Sequence, residues 1–382
     1  MRLLPEDYET LDTHLAAHDG FLADRYPGDS PGRQPVHTVY IPADQIAGFR
    51  DWGPRALEAL DAFPPLPFPA DLADRVRRKL ITEPIEDLRV DFEDGYGVRD
   101  DEQEDAAVHA AVAALTAGPR PPFVGLRVKS LEAPTRHRAL RTLDLFVSLY
   151  SEPFVITLPK VSGHDQVTAM VTLLDLLERR HGLPPGALTF EIQIELPSAI
   201  LGADGSSTVA RLITAADGRC VGLHYGTYDY SAAAGIAAAY QAMDHPVADH
   251  AKAVMQAAVA GTGVRLSDGS TNILPVGDSA EVQAAWALHH RLVRRSLERG
   301  YYQGWDLHPA QLVTRYAATY AFFADGAEAA VTRLRRYLDR QSDGILDEPA
   351  TARALAGYLL RGLDSGALED VHYSRDELTG LI

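Results

Sequence analysis

Cysteine is nearly absent from this chain of 382 residues, with Cys220 standing alone. An intrachain disulfide is therefore excluded, and so is a zinc site built on paired cysteines. Cys220 lies in an apolar stretch and reads as a buried strand thiol. Basic residues are scarce beside acidic ones, 36 against 53, and the formal net charge is −17. A chain so charged repels a phosphate backbone, and no local basic patch offsets the repulsion, so nucleic acid is not an expected partner. Long apolar runs are missing too. No stretch reaches the ~18 residues that a membrane-crossing helix needs, and the first dozen residues carry early acidic groups instead of the apolar centre of a secretory signal. A cytoplasmic protein with no membrane partner is expected. A glycine-rich phosphate loop of the usual type is also lacking, which counts against phosphoryl transfer.

What the chain does have is apolar mass, 46% of its residues, enough for one large core. Short β-branched or apolar runs recur at residues 37–41, 89–92, 123–128, 154–158, 189–194, 220–225, 271–276 and 305–308. Helical periodicity follows most of them, at 101–115, 134–149, 165–180, 207–215, 232–243 and 279–299. Eight alternating strand–helix units favour a closed, parallel (β/α)8 TIM barrel over an open sheet. The expected organisation is an N-terminal extension over 1–36, the catalytic barrel over 37–324 and a C-terminal helical segment over 325–382. That last segment, with helices at 326–341 and 349–363, should pack on the barrel or on a neighbouring subunit. The proline-rich FPPLPFP at 63–69 reads as a rigid connection, because proline supports neither regular helix nor central strand.

Charge gathers where the strands should end. Asp91, Glu93 and Asp94 follow the second strand, Arg127 and Lys129 the third, and Lys160 the fourth. Gln193 and Glu195 close the fifth, His224 and then Asp229 the sixth, and His308 the eighth. One such residue is ordinarily a solvated loop charge, but mixed carboxylates and cations on six of eight strands outline the catalytic face of a barrel. Two carboxylates on consecutive strands, Glu195 and Asp229, suit Mg²⁺, a hard ion that keeps several waters and leaves room for a chelating substrate. Arg127 offers a forked donor to a carboxylate or to an oxygen that gains negative charge. The bland alternative is a salt-bridge network bracing the barrel mouth.

These residues stand in motifs that resemble the citrate lyase β-subunit-like and HpcH/HpaI aldolase superfamily. VDFEDGYGVRDDEQEDAA (90–107) is similar to its acidic second-strand motif, GLRVKS (125–130) to its Arg-Val-Asn strand and TLPKV (157–161) to its Pro-Lys strand. IQIELPSAI (192–200) resembles the metal-Glu strand, GTYDYSAAAG (226–235) the metal-Asp loop, and GWDLHPAQL (304–312) the His-Pro motif. Six motifs in the family's order cover most of the chain.

The resemblance implies Glu195 and Asp229 as Mg²⁺ ligands and Arg127 as the group on the substrate carbonyl and enolate oxygen. It implies Gln193 as a substrate-binding amide and Glu93 and Asp94 as supports for the arginine and the metal waters, with Lys160 paired to those carboxylates. His308 organises the strand-eight loop. In the DGILDEP stretch (343–349), Asp347 matches an aspartate that in some relatives acts in a neighbouring subunit's site; read on its own, it caps the helix beginning at Pro349.

Three features depart from the family pattern: Lys129 in place of asparagine, Leu196 in place of threonine, and the long N-terminal extension. The first two should lie near the part of the site that selects the substrate's second half. The implied activity is that of a Mg²⁺-dependent carbon–carbon lyase or aldolase acting through an enolate. Its substrate would be a 3-hydroxy acyl thioester, with coenzyme A as one candidate carrier, or a 4-hydroxy-2-oxo acid, cleaved to release a small oxo acid. A homo-oligomer is expected. An acyl-CoA thioesterase of the same superfamily and a non-catalytic barrel subunit are the alternatives.

Overall fold

In the computed structural model, which describes residues 3–30, 32–340 and 348–382, eight strands lie side by side in parallel. They are β1 (His37–Pro42), β2 (Asp87–Asp91), β3 (Phe123–Arg127), β4 (Val155–Leu158), β5 (Thr189–Ile194), β6 (Cys220–Tyr225), β7 (Arg265–Ser267) and β8 (Gly304–Asp306). Neighbours run β7-β6-β5-β4-β3-β2-β1-β8. A parallel bridge between Ser267 and Gln303, with Asp268 N–H on the Gln303 carbonyl at 2.8 Å, joins β7 to β8, so the ring is a nearly closed TIM barrel.

Helices wrap the ring: α1 (Pro5–Arg25) precedes it, and α2 (Trp52–Ala62) and α3 (Ala70–Thr82) fill the first crossover. Then come α4 (Asp101–Thr116), α5 (Arg136–Leu149), α6 (His164–His181), α7 (Thr208–Ala215), α8 (Thr227–Ala233), α9 (Pro246–Val259) and α10 (Ser279–Glu298). The chain ends in α11 (Gln311–Leu338), α12 (Pro349–Asp364) and α13 (Arg375–Thr379).

Alternation along the strands decides what fills the barrel. On β2, Leu88 and Val90 turn outward to the helices, while Asp87, Arg89 and Asp91 share the inner face. Arg89 Nε and Nη2 donate to Glu191 on β5 at 3.0 and 3.2 Å, and Arg89 also bonds Asp87. Thr157 donates to Glu191 at 2.8 Å, and the His224 ring lies 2.8 Å from the same carboxylate. Gly125 on β3 makes room for this layer: a Cβ there would stand 2.2 Å from the Val155 carbonyl and 2.8 Å from Arg89 Cδ. The outward face supplies the apolar core, in which Leu88, Leu126, Ile156, Ile192 and Leu223 are fully buried against the helix layer.

Several sequence expectations move. The seventh strand is not 271–276: Arg265–Ser267 pairs with β6, while Thr271 and the residues after it form a loop ahead of α10. Period-two alternation could not separate these runs, and Pro275 tips 271–276 away from a central strand. The helix expected over 232–243 is also absent. Here α8 ends at Ala233, a 3-10 turn covers Ala238–Tyr240, and the true helix is α9, because Gly235 takes a positive φ of 77°. One helix, α11, runs from Gln311 through residue 325, where the barrel was expected to end. The 63–69 stretch is irregular, and Gln283 donates to the carbonyls of Phe63 and Pro65. Cys220 is buried on β6, and burial pushes its thiol up to about 12. Among the described residues no helix is long and apolar enough to cross a membrane.

Filling the space that Gly125 leaves open should be costly. Gly125→Ala is expected to lower unfolding stability by ~1–3 kcal/mol or more, as overpacking of a filled core does. Urea titration followed by circular dichroism measures it, and an unchanged midpoint would contradict this reading of the barrel interior.

Candidate functional site

At the C-terminal ends of the strands the inner face changes from a sealed network to an open cluster. Arg127, the last residue of β3, is buried and lies against Asp91, the last of β2, with Nε and Nη2 each donating to a carboxylate oxygen at 2.7 Å. Asp91 is itself held by the backbone. The Glu93 and Gly95 N–H groups donate to it at 2.9 Å, and a Cβ on Gly95 would come within 2.5 Å of that carboxylate. Tyr40 and Trp305, from β1 and β8, place their rings 4.9 and 5.6 Å from the guanidinium. With two edges fixed, Nη1 is the edge that faces other groups: Gln193 Oε1 and Glu93 Oε2, each 3.4 Å away.

Beside this pair, four carboxylates converge on one ammonium. Lys160 Nζ lies 2.5 Å from Asp229, 2.9 Å from Asp94, 3.5 Å from Glu195 and 3.8 Å from Glu93. Its backbone N–H also donates to Glu195 at 2.6 Å. Lys160 holds φ at 52°, a left-handed conformation that costs a non-glycine residue ~1 kcal/mol or more and is retained where surrounding contacts over-determine it. Glycine again lets the pieces close up, since a Cβ at Gly226, just before α8, would meet Glu195 Cβ at 2.6 Å. Glu195 is buried, whereas Asp229 and Asp94 reach solvent.

Burial and neighbouring charge set the protonation balance. Burial pushes Glu195 up to about 7, against the pull of Lys160, and does the same to Glu93, against Arg127. At Asp229 burial is the largest single influence and raises the pKa, yet the hydrogen bond and charge of Lys160 together hold it below the ordinary value. Burial pulls Lys160 and Arg127 down, but their carboxylates outweigh it and both rise. Carboxylates raised by burial next to fixed cations occur at functional sites and in structural ion-pair networks alike.

The structure brings together Arg127, Gln193, Glu93, Asp94, Lys160, Glu195 and Asp229. Asp347 lies outside the described residues. Lys129 turns away: its ammonium donates to the Phe92 carbonyl at 2.6 Å and to Glu104 on α4 at 2.9 Å, so it pins a helix and does not face the site. His224 is a layer lower, on Glu191. His308 Nδ1 accepts the Ala310 N–H at 3.2 Å at the start of α11, which is the organising role expected of it.

Sequence reasoning named Asp91 as a strand end without giving it a role, and missed Tyr40 and Trp305. The signal for Asp91 was its period-two spacing from Asp87 and Arg89. Gln193 Nε2 and Trp305 Nε1 are buried without hydrogen-bond partners among the described residues, two donors beside Arg127 that a ligand oxygen could satisfy.

The donor set fits a hard divalent ion. Glu195 and Asp229 already hold one cation, the Lys160 ammonium, between them. Among the described residues no three or more His, Cys, Asp or Glu side chains are spaced to hold a metal ion by themselves. Two carboxylates with solvent and substrate oxygens completing the shell is the arrangement that Mg²⁺ usually takes.

The model of the family described as "Domain of unknown function (DUF6986)" matches residues 15–381. No curated protein matches the chain. Among solved structures, CitE of Mycobacterium tuberculosis in complex with magnesium, acetoacetate and coenzyme A is 17% identical. The match covers 88% of this chain and 99% of that one, with a TM-score of 0.54. Malate synthase of Haloferax volcanii is 14% identical. Its magnesium/glyoxylate complex matches over 86% of this chain and 91% of its own, and its pyruvate/acetyl-CoA ternary complex over 86% and 92%, both with a TM-score of 0.51. At these identities the likeness is one of fold: this chain has the barrel of the citrate lyase β-like and malate synthase proteins.

The Asp91–Arg127 pair gives a direct prediction. Removing one partner leaves a buried charge uncompensated, so Asp91→Asn or Arg127→Gln alone should cost ~3–5 kcal/mol. The double variant should cost less than the sum by more than ~0.5 kcal/mol, the usual limit of additivity. A double-mutant cycle in urea that proved additive would show the two side chains to be energetically independent.

Proposed function

The chain belongs to the family described as a domain of unknown function, DUF6986, and from the site we propose its function: a Mg²⁺-dependent carbon–carbon lyase or aldolase that works through an enolate. The observation that carries the reading is the convergence of Glu195, Asp229, Asp94 and Glu93 on one cation beside the buried Arg127. The substrate class is a 3-hydroxy acyl thioester or a 4-hydroxy-2-oxo acid, and the product released is a small oxo acid. Relatives of the same fold bind magnesium with acetoacetate and coenzyme A, or with glyoxylate, which supports oxygen-rich substrates of this size. A cytoplasmic place for the enzyme accords with this substrate class.

Glu195 and Asp229 would hold the Mg²⁺, which supplies Lewis acidity and a template for two substrate oxygens. Arg127 directs its remaining Nη1 edge at the oxygen on which negative charge grows, while Asp91 keeps the guanidinium fixed and aimed. Gln193 Nε2, free of other partners, donates to a substrate oxygen next to the arginine. Glu93, Asp94 and Lys160 fix the arginine and the two ligand carboxylates in place. Burial of Arg127, Gln193 and Glu195 keeps water from the reacting carbon and strengthens each interaction.

Asp347 is proposed as the acid–base group, delivered from a neighbouring copy in a homo-oligomer. If so, inactive Arg127→Ala and Asp347→Ala proteins, unfolded and refolded together, should form some sites with both residues intact and regain part of the activity. Mixed oligomers confirmed by native mass spectrometry without recovered activity would place Asp347 in its own subunit's site or outside catalysis; the cap expected of it falls instead to Glu348, the N-cap residue of α12.

Metal dependence tests the proposal itself. Glu195→Gln and Asp229→Asn should each weaken Mg²⁺ binding in calorimetric titration while thermal unfolding shows the barrel intact. They should also abolish Mg²⁺-stimulated cleavage across a panel of 3-hydroxy acyl-CoA thioesters and 4-hydroxy-2-oxo acids. Wild-type Mg²⁺ affinity in both variants would remove these carboxylates from the metal site.

A further inference from the structure

The helix α1 carries a 21-residue segment in which no residue is buried, and every position from Leu3 to Asp24 is exposed. Nothing in the described chain covers it. Yet its apolar side chains are ordered. Leu4 at the N-cap, then Tyr8, Leu11, Leu15 and Leu22, with the polar His18 between the last two, follow one another at steps of four, three, four, three and four, and Phe21 widens the C-terminal end of the stripe. Leu4, Tyr8, Leu11, Leu15, Phe21 and Leu22 are all among the chain's exposed large hydrophobic groups. A step of 3.5 residues is the repeat that keeps one narrow seam facing another helix along its length, whereas burial against a sheet or a broad apolar surface selects a wider stripe. Helices in proteins also draw most of their stability from packing such a face, and Gly20 inside α1 weakens its intrinsic propensity by ~1 kcal/mol. The segment therefore calls for a helical partner.

Charge narrows the choice of partner. The N-terminal half of α1 bears Glu6, Asp7, Glu9 and Asp12, and the C-terminal half bears Asp19, Asp24 and Arg25. An acidic helix of this kind is repelled by an anionic membrane surface. Against a second α1 in parallel, the four carboxylates of one N-terminal half face four more. In antiparallel order they face two carboxylates and an arginine, which removes much of the repulsion. The stripe itself reads the same in that order: Leu4 meets Leu22, Tyr8 meets His18, and Leu11 meets Leu15.

We propose that α1 is a dimerisation helix, pairing antiparallel with α1 of a second copy of this chain through Leu4, Tyr8, Leu11, Leu15, His18 and Leu22. The short segment after it ties the pair to the N-terminal end of the barrel, where Gly28 N–H donates to the Gly261 carbonyl at 2.9 Å and Asp29 meets Arg361 of α12 at 3.2 Å. That anchor shares no residue with the carboxylate cluster, and the proposal is independent of the reading of that site.

The test uses the full chain. Light scattering and native mass spectrometry should give an assembly with an even number of copies for the wild type. The Leu11→Lys/Leu15→Lys double variant should show half that mass, with the wild-type melting transition of the barrel retained. Orientation is read separately, at the ends of the seam, by oxidising a mixture of Leu4→Cys and Leu22→Cys proteins. Antiparallel pairing joins one variant to the other, whereas each variant joined to itself means a parallel pair. A single-copy wild type, a mass unchanged in the double variant, or self-joined products would each overturn the proposal.

Discussion

The Arg127–Asp91 pair is the contact from which the rest of the barrel's polar architecture follows. A guanidinium inside a barrel cannot be left without a counter-ion, since a buried charge stripped of its partner costs several kcal/mol, and a single carboxylate answers it best when both oxygens are met in plane. Asp91 does this only because the Glu93 and Gly95 N–H groups hold it still, and that in turn requires glycine at position 95. The layer beneath obeys the same rule. Arg89 is shared by Asp87 and Glu191, and Glu191 is satisfied further by Thr157 and His224, so the interior is a stack of neutralised charges resting on the gap that Gly125 leaves.

Closure of the ring uses another such knot. Asp306, fully buried on β8, takes Arg315 from α11 and His289 from α10, and faces His37 of β1 at 3.4 Å. Burial works against ionising this carboxylate, but Arg315 leads the neighbours that hold its pKa far below the ordinary range. With β8 and β1 fixed in this way, Trp305 and Tyr40 are held against the guanidinium of Arg127, and one rigid frame carries the arginine, its aromatic walls and the carboxylates around Lys160.

Most of this frame was legible from residue order. Seven of the eight strands fall where short apolar runs were read, because period-two alternation beside helical periodicity is hard to imitate over so many units. The seventh strand was misplaced because Arg265–Ser267 is too short to alternate visibly. The helix at 232–243 was misplaced because alanine content argues for helix without saying where a glycine at positive φ will end it. The charged residues of the site were found because they end strands. The pairing of Lys160 with Glu93 and Asp94 was read as well, but partners such as Asp91 with Arg127 or Lys129 with Glu104 were not, because they depend on which face a side chain takes across neighbouring elements. Lys129 shows the limit well: its place after the third strand suggested a role in selecting substrate, and its direction shows a structural pin.

The central claim is that this face of the barrel stabilises an enolate. Proton exchange at the carbon next to a carbonyl reports this even when no carbon–carbon bond is made or broken. In deuterated buffer with Mg²⁺, the protein should exchange the methyl protons of pyruvate or acetyl-CoA for deuterium, followed by NMR, faster than buffer alone. Arg127→Lys should slow that exchange by ~10²–10³, the usual cost of losing one charge-stabilising donor. Exchange no faster than buffer for both compounds, or an Arg127→Lys protein as fast as the wild type, would contradict the account.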